Sequence, residues 1–155
     1  MTEAFEHIPE SEFYRYMTDD QAVIEYANQI RLSLTSAPTQ SLFRVLAILF
    51  VKYDGDKIKL VIGTNAEPGY IGGSICAERS AITRMRFLPS PILLKVAITT
   101  DNDLPIAPGA LCREYLNSIA DPDTVVVMGN ASGSVIESCT LGQIWPHPYV
   151  YRYCT

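Results

Sequence analysis

Residues 43–53, FRVLAILFVKY, are apolar almost without interruption. A strand with one wet face alternates, so a run this apolar must be covered on both faces. Residues 57–63, KIKLVIG, follow after Asp54-Gly55-Asp56, and two β-rich runs around a DG turn predict a hairpin. The chain therefore has to lay other elements on both sides of a sheet that contains this hairpin.

The remaining segments supply them. Thr18-Asp19-Asp20-Gln21 has the form of a capping box, with the Thr18 hydroxyl at the N-cap. Behind it Ala22, Val23, Tyr26, Ile30 and Leu34 recur at helical spacing, predicting a helix to about Ser33 that the Pro38 region ends. The Pro- and Gly-containing loop 65–73 leads to a second helix, Ala77 to about Phe87, with Ser74 as the expected N-cap. Residues 93–100 (LLKVAITT) and 124–128 (TVVVM) read as buried strands, separated by a helix that Pro108 can start and that runs to about Ile119. Residues 134–139 form a short strand, and the last stretch is aromatic-rich. This order predicts an α/β fold, a three-layer α/β/α sandwich with a five-stranded mixed sheet. Residues 1–155 are expected to form a single domain, with 1–17 as a short arm or a helix packed on the body. Ligand sites in such sheets lie beyond the carboxyl ends of strands, near helix N-termini.

A net charge of −5 argues against a nucleic-acid-binding face, which needs clustered Lys and Arg. No run reaches the roughly 18 apolar residues of a membrane helix. The opening MTEAFEHIPE has neither the basic nor the apolar region of a secretory signal. Four cysteines without regular spacing then read as reduced thiols of a cytoplasmic protein.

Two of those cysteines stand at helix N-termini. Cys76 and Glu78 open the helix of Ser74-Ile75-Cys76-Ala77-Glu78-Arg79, where the helix dipole favours a thiolate. Alone, Cys-x-Glu is also what a buried thiol next to a first-turn acid looks like. Further on, Pro108-Gly109-Ala110-Leu111-Cys112-Arg113-Glu114 puts Cys112 in the first turns of the next helix. The pair is similar to the pattern of the zinc deaminases of nucleobases, Cys-x-Glu followed by Pro-Cys-x-x-Cys, except that Gly109 stands at the first Cys of the second element.

With these pieces placed, residues from about Ser41 to Tyr149 resemble the cytidine deaminase family, in its small, zinc-dependent, homotetrameric form. The likeness rests on Phe43-Arg44-Val45, on Asn65-Ala66-Glu67, on Cys76-Ala77-Glu78-Arg79-Ser80-Ala81-Ile82, on Pro108 with Cys112-Arg113, and on Trp145-Pro146-His147-Pro148-Tyr149. The resemblance implies zinc held by Cys76 and Cys112, with Glu78 carrying the proton of the attacking water to the ring and the leaving amine. It implies that Asn65 and Glu67 bond the ribose hydroxyls, that Phe43 packs on the base, and that Tyr149 closes a site, often a neighbouring subunit's. Arg79 and Arg113 would balance thiolate charge from behind the ligands. The expected reaction converts cytidine or deoxycytidine to the uracil nucleoside, and the expected partners are a small pyrimidine nucleoside and further copies of the chain.

The departures shape the alternatives. Gly109 offers no third ligand, Ala110 and Leu111 follow it, and Pro68-Gly69 replace Asn-Ala. Asp101, Asp103 or a nearby backbone carbonyl, and after them His7, His147 and Cys139, are the candidate substitute ligands. A second reading is therefore a catalytically impaired relative that binds or assembles. A third is an enzyme acting on a modified cytosine compound, since Gly72-Gly73 before the Cys resembles the loop of blasticidin S deaminases.

Overall fold

A computed structural model describes residues 2–34 and 36–151. The chain begins with α1 (Thr2–Glu6), α2 (Glu10–Thr18) and α3 (Asp20–Ser33), then forms β1 (Val45–Tyr53) and β2 (Lys57–Thr64). After a short 3-10 turn at Ile71–Gly73 come α4 (Ala77–Met85), β3 (Ile92–Thr100), α5 (Ala110–Ile119), β4 (Val125–Gly129), β5 (Ile136–Thr140) and α6 (Leu141–Ile144). The five strands form one mixed sheet in the order β2-β1-β3-β4-β5. Only β3 and β4 run parallel, joined by α5; every other pairing is antiparallel.

Period-two alternation divides the apolar run of β1 between two cores. Ala47, Leu49 and Val51 face α4 and α5, in a cluster with Ala81, Ile82 and Leu116. Leu46, Ile48 and Phe50 face the other way, onto Val23, Ile24 and Ala27 of α3 and Phe13 of α2. The three layers follow from that division. Residues 2–18 form two helices rather than one, and α2 packs on the body, where Phe13 meets Phe50 edge-on at 5.2 Å between ring centroids.

Polar groups tie this N-terminal layer down. Lys95 is buried in β3, where its ammonium donates to the carbonyls of Tyr16 and Met17 at 3.0 and 3.1 Å and pairs with Asp20. It thus satisfies carbonyls that the end of α2 leaves open. Glu6 is buried too, accepting from the Ile62 amide at 2.9 Å and pairing with Arg84.

Three local expectations are corrected. The N-cap of α3 is Asp19, which accepts from the Ala22 amide, while Thr18 bonds back to carbonyls of α2. Asp outranks Thr as a cap, and the helix starts one residue later for it. Ser74 does not cap α4; Cys76 occupies the N-cap without a side-chain bond. Helix α5 starts at Ala110 with Gly109 as N-cap, so Pro108 lies just outside it.

Candidate active site

The N-termini of α4 and α5 meet beside the ends of β1 and β3, where the chain pattern placed a ligand site. Gly63 of β2 makes the α4 position possible. A Cβ there would overlap the Ala77 carbonyl oxygen and the Ala81 amide nitrogen, so only glycine lets the first turn of α4 lie this close to the strand. The loop before the helix is closed at its base by a two-way bridge, Ala66 to Ile75, with both hydrogen bonds at 3.0 Å. Cys76 follows immediately. On the α5 side, Arg113 donates to the Pro108 carbonyl at 2.6 Å and to the Ile144 carbonyl at 3.0 Å, fixing the approach to that helix.

These restraints bring Cys76, Glu78 and Cys112 together, with one ligand atom from each lying within 4.8 Å of the others. Among the described residues no other group of three His, Cys, Asp or Glu side chains converges in this way. The three could hold a metal ion. Glu78 is buried, and the Cys112 thiol donates to its Oε2 at 3.6 Å. Burial raises the Glu78 carboxyl above the usual carboxylate range, because desolvation penalises the charged form. Burial, with the Glu78 and Cys76 charges nearby, pushes the Cys112 thiol up to about 12. Arg79 answers this from one side, donating to the Cys76 sulfur at 3.5 Å. Of the two arginines expected behind the thiolates, Arg79 lies beside both cysteines, while Arg113 donates to backbone carbonyls.

A cleft of about 280 Å³ opens onto this cluster, with Phe43, Asn65, Glu67, Cys76, Glu78 and Gly109 in its walls. Asn65 is already at work there: its Oδ1 accepts from the Val45 amide at 2.9 Å and its Nδ2 donates to the Phe43 carbonyl at 2.8 Å. Glu67 accepts from the amide and hydroxyl of Ser41 at 2.7 and 2.6 Å, which holds its carboxyl below the usual range. One Asn65 N–H and further lone pairs on Glu67 stay free for a ligand. Tyr149 lies elsewhere, exposed on a second cleft with Asn117 and Tyr151.

The substitute ligands do not converge on the site. Asp101 is taken by the buried Arg31 and by Arg44, whose Nε and backbone amide donate to it at 2.9 and 2.8 Å. Asp103, His7, His147 and Cys139 belong to no ligand cluster among the described residues. Cys154 lies outside the described residues. The sequence reading missed the Arg31–Asp101–Arg44 network, which ties α3 to the start of β1 and to the loop after β3. An Arg in a helix interior among apolar residues was its one visible signal.

No family model matches the chain. A cytidine deaminase of Halalkalibacterium halodurans, however, is 30% identical over 128 residues, spanning 83% of this chain and 92% of the relative. The chain belongs to the cytidine deaminase family. Among solved structures, the cytidine deaminase of Burkholderia pseudomallei superposes with a TM-score of 0.71 at 25% identity, over 85% of this chain and all of that one. The cytidine deaminase of Mycobacterium leprae gives 0.61 at 24% identity, over 79% and 93% of the two chains, a likeness of fold. The fold expected from the sequence is the family's fold.

Proposed function

We propose that this chain hydrolytically deaminates a free cytidine or deoxycytidine-type nucleoside, with Glu78 as proton carrier and zinc at Cys76 and Cys112. The observation that carries the reading is the convergence of those three side chains at a cleft of a family member. The donor chemistry fits zinc, since thiolate sulfur with carboxylate oxygen is a set that zinc accepts. When bound, zinc supplies the acidity that makes hydroxide available near neutral pH.

The chain's own groups do the rest. Buried Glu78 is suited to take a proton from water and return it to the ring nitrogen and then to the leaving amine, because desolvation has already raised its basicity. The two helix N-termini and Arg79 oppose the negative charge that two thiolates and a carboxylate concentrate in one place. Phe43 offers an aromatic wall to the base, while Asn65 and Glu67 offer polar atoms to the sugar. Exposed Leu111, Tyr115 and Ile119 form a stripe at four-residue spacing on α5, which supports assembly with further copies of the chain. No described helix is long and apolar enough to cross a membrane, and a cytoplasmic setting suits the free thiols.

Gly109 favours one second reading, a member that keeps the pocket and has lost turnover. Ammonia and uridine release from cytidine, measured with zinc supplied, separates the two. Activity that disappears in Glu78→Gln while the fold persists supports the deaminase; no release from the zinc-supplied protein supports the binding role.

A further inference from the structure

Gly109 presents no side chain to the ligand cluster, and a Cβ placed on it meets nothing within 4 Å. The position is open space where the family pattern has a thiolate. A zinc site held by protein ordinarily needs at least three protein ligands. Among the described residues only Glu78 joins Cys76 and Cys112 within ligating distance of one another, since Asp101 is consumed by two arginines. Glu78 is buried in α4, and its Oε2 sits 3.6 Å from the Cys112 sulfur. A sulfur and an oxygen on one tetrahedral zinc are also about 3.6 Å apart, from bond lengths of about 2.3 and 2.1 Å.

We propose that Glu78 is the third metal ligand of this chain in its substrate-free state, closing a two-sulfur, one-oxygen set in place of the thiolate that Gly109 lacks. The inference rests on the zinc-deaminase reading and changes what that reading asks of Glu78. The same carboxylate has to leave the metal before it can carry a proton, so the resting site is retained at the expense of turnover.

The test is metal affinity, measured by competing the full-length, metal-free protein against a chelator for Zn²⁺, with Co²⁺ as the spectroscopic probe. Four proteins are compared: wild type, Glu78→Gln, Gly109→Cys, and the double variant. Loss of a ligand should weaken binding by about 100-fold or more in Glu78→Gln, at or beyond the upper end of effects from residues behind the ligands. Gly109→Cys should bind more tightly than wild type, and in that background Glu78→Gln should cost less than about tenfold, the introduced thiolate having taken over. An equal loss in both backgrounds, or a loss of under about threefold in wild type, overturns the proposal. Cytidine turnover by that same wild-type protein would then leave the deaminase reading standing. Failure of wild type to take up either metal overturns the proposal and the zinc assignment together, while a pocket that still binds nucleoside would survive. A measurement without variants covers the case in which Glu78→Gln does not fold. The infrared difference between zinc-loaded and metal-free wild type should show one carboxylate stretch shifted, and a flat difference in that region overturns the assignment.

Discussion

The Cys112 thiol donates to the Glu78 carboxylate at 3.6 Å, one group from the first turn of α5 and the other from the first turn of α4. The contact joins a candidate metal ligand to the candidate proton carrier, and it exists only because both helices begin at the same place. Neither helix reaches that place by its own propensity. Gly63 lets α4 down onto β2, and Arg113 with Pro108 and Ile144 sets the start of α5.

The two thiols of the site should react at different rates in metal-free protein. Cys112 is 1% exposed, and burial with the neighbouring Glu78 and Cys76 charges raises its thiol, so it is both shielded and disfavoured as a thiolate. Cys76 is half-buried and lines the cleft. Mass spectrometry after iodoacetamide treatment should find Cys76 modified at least about tenfold faster than Cys112, by the difference in exposure alone. Added Zn²⁺ should then protect Cys76. Equal rates would mean that Cys112 is far more open than its burial indicates.

Gly63→Ala should destabilise the protein by about 2–3 kcal/mol, because its Cβ meets backbone atoms of α4 that no side-chain rotation can move. Urea unfolding checks the magnitude. The same variant should hold metal less well than wild type, since α4 must lift and carry Cys76 and Glu78 with it. Wild-type stability in Gly63→Ala would show that the helix adjusts at little cost.

Asp101→Asn should cost more than an ordinary surface change. Arg31 has a side chain 1% exposed, with Asp101 as its carboxylate partner, and Arg44 depends on the same group. Removing one partner of a buried ion pair costs about 3–5 kcal/mol, because the remaining charge stays buried. Asp101 is itself partly exposed, so about 3 kcal/mol is the expectation, read from denaturant midpoints. A loss under about 1 kcal/mol would show that Arg31 finds water or the Asn28 and Ala131 oxygens sufficient.

Much of this arrangement was legible in the residues. The apolar run of β1, the DG turn and the helical spacing after Asp20 led to the sheet and its two covered faces, because burial and periodicity are local signals. Cys76, Glu78 and Cys112 were legible as a candidate cluster only when the two elements were read together against the zinc-deaminase pattern, since a Cys-x-Glu at one helix start is equally a buried thiol beside a first-turn acid. The backbone bonds of Asn65 and Arg113 were not legible. Both residues spend their polar atoms on carbonyls and amides of other segments, and nothing in the identity of a side chain says which backbone group will be near it. The N-cap of α4 was missed for a related reason: Ser74 ends the preceding 3-10 turn, so the better capping residue stands two positions too early.

Asn65 and Glu67 can be told apart by asking separately about stability and about substrate. Asn65 closes two hydrogen bonds to the backbone around the start of β1, so Asn65→Ala should lose about 1–2 kcal/mol in the absence of any ligand. A rise in KM for that variant is ambiguous, since a displaced strand also displaces Phe43. Glu67 is half-buried beside the cleft and bonds only the exposed Ser41 and its neighbourhood, so Glu67→Gln should change stability by no more than about 0.5 kcal/mol. Its carboxylate, ionised at neutral pH and lowered further by the Ser41 hydroxyl and amide, gives a sugar hydroxyl a charged acceptor. Glu67→Gln should therefore raise KM for cytidine by about five- to tenfold with kcat nearly unchanged, the signature of a lost binding contact. An unchanged KM would remove Glu67 from the sugar site and leave it as the clamp on the 36–43 loop.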